Sequence, residues 1–262
     1  MERMTTLLQD VEIVVKEAGA HLLRRYSAGS RQDSFEDIVS SVRANDSAVL
    51  AILRPGLTAA RPDAGWVDDE HASGPMPAGE WWVVDPVGGN VNTIHGLRDW
   101  NIGVTLVRDQ QPVLAVLYSP LGDELYTAEA GAGAYLNGVR LTTSAKTGLD
   151  AALVGTGQAK PGLDPRNAAL LGASVTAMLQ AALYVRVSVP VTHQLSQVAA
   201  GRMDLHWQFD NVRSHLAGLL LIKEAGGVVT DLDGRPWDLT SEHYLAATPG
   251  LHAAALKVLA GS

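Results

Sequence analysis

The sequence predicts a layered α/β sandwich in which two halves of the chain share a cleft. Three observations predict it. The first half carries two amphipathic helical stretches followed by short apolar strands with hairpin connections. The second half alternates strands with helices. No linker, internal repeat or low-complexity tract separates the halves, set here at residues 1–145 and 146–262. With 262 residues, 47% of them hydrophobic, the chain can bury a substantial core as one two-lobed unit.

The elements follow from periodicity. Leu8, Val11, Val15, Ala18 and Leu22 recur at steps of three and four, which predicts a helix over residues 5–23. Val42, Val49 and Leu53 mark a second helix over 38–53, with Pro55 and Gly56 expected to stop it. Strands are expected at 82–84, 102–107, 113–117 and 125–128. A connection spans 108–112, and the Asn137-Gly138 turn leads into Val139, Arg140 and Leu141. Beyond residue 150, strands at 152–154, 184–189, 205–209, 228–230 and 245–247 alternate with helices at 167–182, 192–200, 214–225 and 251–259. Gly226-Gly227 ends the third of these helices.

Composition excludes several classes. Without cysteine there is no disulfide, thiolate zinc site or cysteine nucleophile. The formal net charge of −8 argues against a basic nucleic-acid face. Glu2, Asp10 and Glu12 interrupt any apolar leader, and apolar runs such as Leu219–Ile222 fall far short of the ~18–20 residues of a membrane span. The expectation is a cytoplasmic protein.

Several segments carry a resemblance. Trp82-Val83-Val84-Asp85-Pro86, continuing through Val87-Gly88-Gly89-Asn90-Val91-Asn92 to His95-Gly96, is similar to a W-x-x-D-P-[IL]-D-G-T-x-N signature. Tyr118-Ser119-Pro120, Leu136-Asn137-Gly138, residues 198–204 and residues 217–227 follow in matching order. Together they resemble the inositol monophosphatase family over nearly the whole chain. The resemblance implies an αβαβα sandwich, a homodimer, and magnesium-dependent phosphatase chemistry that needs closely spaced carboxylates for hard cations.

Carried over position by position, the resemblance keeps only part of that site. The family glutamate falls on Glu70 and the first signature aspartate on Asp85. The second signature aspartate falls on Gly88, and the threonine that orients water falls on Asn90. The aspartate of the early helix falls on Arg43, and the Trp-Asp pair before the long helix falls on Arg213-Ser214. The Gly-Ser-Ala-Ala segment falls on residues 189–192, and the acidic ring contact on Gln208. Asp210 is the residue able to replace a lost aspartate. Arg43 is expected to pair with Glu70 or Asp85, or to bind a substrate anion.

On that alignment the cleft has lost its metal cluster. The reading favoured by the sequence is metal-independent acid–base chemistry, such as a cyclisation, elimination or isomerisation, in bacterial biosynthesis. Glu70 and Asp85 would be the proton-handling pair, assisted by His71, His193 or His215. Arg43, Asn90, Gln208, Arg213 and Ser214 would bind substrate. A zinc site on the three histidines lacks a helical i,i+4 pair. No cofactor is expected beyond a weak magnesium ion at Glu70 and Asp85. The alternatives are a residual metal-dependent small-molecule phosphatase and a catalytically silent binding protein.

Overall fold

Amphipathic stripes build the first layer. The computed structural model describes residues 2–261. Helices α1 (Glu2–Arg25) and α2 (Phe35–Ala60) pack on each other, burying Leu7, Val11, Val15, Ala18 and Leu22 of α1 against Val49, Leu53 and Leu57 of α2. Ser34 caps α2, its hydroxyl accepting from the Asp37 N–H at 3.1 Å. Pro55 and Gly56 do not stop this helix, which runs on to Ala60. Pro55 lies exposed on the outer face, and the buried Leu53 and Leu57 hold the segment to the core. Gly56 serves close approach: a Cβ there would sit 2.6 Å from Val14 of α1.

The two helices cover a seven-stranded sheet. Its strands are β1 (Gly65–Trp66), β2 (Glu80–Gly88), β3 (Asn101–Arg108), β4 (Gln111–Ser119), β5 (Glu124–Glu129), β6 (Gly133–Leu136) and β7 (Val139–Arg140), in spatial order β1 to β7. Only the β1–β2 pair is parallel. Trp82, Val84, Ile102, Val104, Leu106, Leu114 and Val116 face α1 and α2. The one-turn helix α3 (Asn90–Ile94), which has no sequence signal of its own, follows β2 directly.

The opposite face of the sheet buries Ala115, Leu117, Tyr126 and Ala128 against α5 (Val191–Ala199) and α6 (Leu216–Glu224). A five-stranded sheet lies beyond them. It is formed by β8 (Leu153–Thr156), β9 (Tyr184–Val187), β10 (Leu205–Gln208), β11 (Val228–Thr230) and β12 (Tyr244–Ala247), in the order β11-β12-β10-β8-β9. Its far face packs on α4 (Pro165–Ala181) and α7 (Pro249–Leu259). Five layers result, αβαβα, as the resemblance implied.

Asp204 pins the second half near its start. It is 1% exposed and accepts from Ser144 Oγ at 2.6 Å, Lys146 Nζ at 2.8 Å and the Leu153 N–H at 2.7 Å. No helix among the described residues is long and apolar enough to cross a membrane.

Candidate functional site

Three elements bring carboxylates within electrostatic reach of one another. Asp85 lies on β2 just before an irregularity in the β2–β3 register. Glu70 lies in the turn that follows β1, and its carbonyl accepts from the Ser214 N–H at 2.9 Å. Asp46 comes from α2, one turn after Val42. Burial pushes the Asp85 carboxyl up to about 8, with the charges of Glu70 and Asp46 adding to the shift. Burial pushes Asp46 up to about 6. A hydrogen bond from Asn90 opposes that rise, and the charge of Glu70 reinforces it. Asp85 thus feels both Glu70 and Asp46, and Asp46 feels Glu70.

Asn90 orders this cluster. Its Nδ2 donates to Asp46 Oδ1 at 2.8 Å and to the Val42 carbonyl at 3.0 Å, and its Oδ1 accepts from Asn45 Nδ2 at 3.0 Å. Asn45 in turn accepts from Arg25 Nε at 3.1 Å. A polar chain therefore runs from the end of α1 to Asp46. On the opposite side, Asn101 and Thr192 approach Gly88 and Asp85, and Thr192 Oγ1 donates to Asn101 Oδ1 at 3.0 Å.

Sequence reasoning missed Asp46. Position-by-position alignment assigned the early-helix aspartate to Arg43, whereas the side chain that turns toward Glu70 and Asp85 stands three residues later. Arg43 is exposed and forms no ion pair with Glu70 or Asp85 among the described residues. The expected counter-cation is thus absent from the cluster. The usable signal was the buried Asn45 inside the stripe formed by Val42, Val49 and Leu53, since a polar pair, Asn45-Asp46, in an apolar stripe marks a place where the helix faces polar partners.

The histidines do not converge. His71 stands at the rim, its Nδ1 3.5 Å from Glu70 Oε1, and Asp69, Glu70 and His71 offer ligand atoms within 4.8 Å of one another. His193 Nε2 lies 3.8 Å from Asp99 Oδ1, and Asp99 is also paired with Arg186 at 2.7 Å. His215 is buried, its Nδ1 3.1 Å from the Tyr244 hydroxyl. Burial, with His206 and His71 adding, holds its pKa well below the usual histidine range. No three-histidine metal group occurs among the described residues.

Gln208 is fully engaged by backbone: Nε2 donates to the Gly157 carbonyl at 2.8 Å and Oε1 accepts from the Phe209 N–H at 2.9 Å. Asp210 accepts from Asn167 Nδ2 at 2.9 Å. Arg213 and Ser214 form the short turn that carries the Glu70 loop, through Arg213 N–H to Ala72 and Ser214 N–H to Glu70.

These carboxylates suit a hard divalent cation. Asp46 and Asp85 are held near Glu70 at the cost of their own ionisation, and a positive ion beside them lowers that cost.

Comparison with known proteins agrees. The model of the inositol monophosphatase family matches residues 3–261. The inositol-1-monophosphatase of Rhizobium meliloti is 36% identical over 237 residues, covering 89% of this chain and 88% of that protein. A putative Nus factor SuhB of Neisseria meningitidis is 30% identical over 264 residues, covering 98% of each. An inositol monophosphatase structure from Anabaena (Nostoc) superposes with a TM-score of 0.82 at 25% identity, covering 100% of this chain and 97% of that one.

These matches overturn the expectation of metal-independent cyclase, lyase or isomerase chemistry. That expectation left Asp46 of α2 out of account, although its charge reaches Asp85. The chain belongs to the inositol monophosphatase family.

Proposed function

We propose that the chain is a magnesium-dependent phosphatase of small phosphorylated polyols, with inositol 1-phosphate as the substrate to test first. The observation that carries this reading is the convergence of Asp46, Glu70 and Asp85, with Asp85 pushed up to about 8 by burial and by its two acidic neighbours. Such a cluster favours a bound divalent ion over three separate charges.

Asp46, Glu70 and Asp85 would hold the ion, and Asn90 fixes the rotamer of Asp46 through its 2.8 Å hydrogen bond. A magnesium ion held there would supply positive charge to the phosphoryl oxygens and lower the pKa of a bound water. Glu70 keeps a quarter of its side chain exposed, so it is the member of the group that solvent and substrate reach most readily. His71, beside it at the rim, is placed to exchange protons with solvent. Arg213, on the turn that holds the Glu70 loop, is the residue proposed to face the substrate anion. Self-association as a homodimer is part of the same reading. A monomer mass by light scattering at micromolar concentration would remove it.

The test is phosphate release from inositol 1-phosphate by the purified chain. Turnover with magnesium, abolished by EDTA and by Asp85→Asn, supports the reading. Turnover undiminished in EDTA, or no phosphate release with magnesium, overturns it.

A further inference from the structure

Gly88 and Asn101 face each other across β2 and β3. A Cβ at Gly88 would lie 2.5 Å from Asn101 Oδ1, 2.9 Å from Asp85 Oδ2 and 3.0 Å from Thr192 Oγ1. Three side-chain oxygens from three elements therefore crowd around one bare Cα. The side chain of Asn101 can lean over position 88 only because nothing projects from it.

Asn101 is an unusual residue for that place. It is 1% exposed on a strand whose other residues from Ile102 to Leu106 are buried and mostly aliphatic. Its Oδ1 accepts from the Thr192 hydroxyl at 3.0 Å, and its Nδ2 is buried with no hydrogen-bond partner. A buried amide with an unmet donor is costly to keep unless the site gives it a use. The Thr192 bond uses one lone pair of the carbonyl oxygen and leaves the second unused, while Asp85 Oδ2 borders the same bare Cα.

We infer that Asn101 is a neutral oxygen ligand of the cation site, its Oδ1 joining Asp85 Oδ2 above Gly88, with Thr192 as the residue that positions it. The inference rests on the proposed magnesium dependence. It assigns to a residue on β3 a role that the signature segment on β2 does not contain. An amide oxygen suits a hard cation but brings no charge, so this arrangement lowers the negative charge at the site while keeping an oxygen in place.

The experiment is calorimetric titration of metal-free protein with magnesium and with manganese. Asn101→Ala is expected to weaken binding on the order of 10-fold or more. Asn101→Asp keeps the shape and adds charge, and is expected to tighten binding. Gly88→Asp alone is expected to gain nothing, because its Cβ collides with Asn101. Gly88→Asp combined with Asn101→Ala is expected to bind more tightly than Asn101→Ala alone. Wild-type affinity in Asn101→Ala overturns the inference. If that variant fails to fold, wild-type affinity in Asn101→Asp overturns it equally. Should the wild type bind neither ion, the magnesium-dependent reading falls and the inference with it. Should the wild type bind and Asp85→Asn not, while both Asn101 variants match wild type, only the inference falls.

Discussion

Asn90 donates a 2.8 Å hydrogen bond to Asp46, joining the first turn after β2 to the middle of α2 across 44 positions of sequence. This bond holds a carboxylate toward the other two acids. Asn90→Ala frees Asp46 to rotate away and is expected to weaken magnesium binding by about 10–100-fold, the usual cost of losing the group that orients a ligand. Titration calorimetry reads this directly. Unchanged affinity would mean that Asp46 needs no guide.

Arg43 gives the contrasting result. It is exposed and lies outside the cluster. Arg43→Gln is expected to leave magnesium affinity within about 2-fold of wild type and stability within ~0.5 kcal/mol, as for ordinary surface substitutions. A tenfold gain in affinity would restore Arg43 as a counter-cation.

Magnesium stabilisation is expected to rise with pH. The folded state keeps Asp85 protonated up to about 8 and Asp46 up to about 6, both above the ordinary carboxylate value. Raised folded pKa values mean that the folded state binds more protons than the unfolded one. In metal-free protein that contribution is full below about 4 and is lost as pH rises through 6 and then 8. A cation that replaces those protons therefore adds most at the alkaline end. The difference in Tm with and without magnesium should be larger at pH 8 than at pH 6, and Asp85→Asn should abolish most of it while raising the Tm of the metal-free protein. A difference that shrinks with pH would contradict this.

His206 should govern part of the acid limb. It is fully buried on β10, stacked on Tyr244 at a centroid distance of 5.9 Å, with neither ring nitrogen hydrogen-bonded among the described residues. Burial lowers its pKa to about 3. A depressed histidine pKa means that the unfolded state takes up the proton first, so stability is full above about 6.5 and declines as pH falls toward 3. His206→Leu removes one such proton and should lose about 2 kcal/mol less than wild type between pH 6.5 and pH 5. Denaturant unfolding at the two pH values measures it, and equal losses would sink the prediction.

Asp204→Ala should be costly without touching the cleft. It strips partners from Ser144, Lys146 and the Leu153 N–H in a buried setting. The expected loss is on the order of 3 kcal/mol in unfolding free energy. A loss under ~1 kcal/mol would show that water replaces the carboxylate.

Much of the architecture was legible before the structure. Helices and strands in each half follow from 3.6- and 2-residue periodicity, because burial of one face is written into spacing. The exceptions are instructive. Pro55-Gly56 reads as a stop, yet packing of Leu53 and Leu57 carries α2 through it, and Gly56 lets α2 approach Val14 of α1. Local propensity lost there to tertiary burial.

For the site, the sequence by itself pointed to Glu70 and Asp85, since both lie in segments whose order and composition resemble the family. It could not determine the third carboxylate. Arg43 and Asp46 sit three residues apart on one helix, so less than one turn separates a charge from its opposite. Only the azimuth of α2 against β2 and the Glu70 turn decided which side chain faces inward. The same holds for Asn101, which stands 13 positions from its opposite number Gly88 and meets it only through strand pairing. Periodicity reports which face of an element is buried. It carries no record of what that face meets, which is settled by the relative placement of elements distant in sequence.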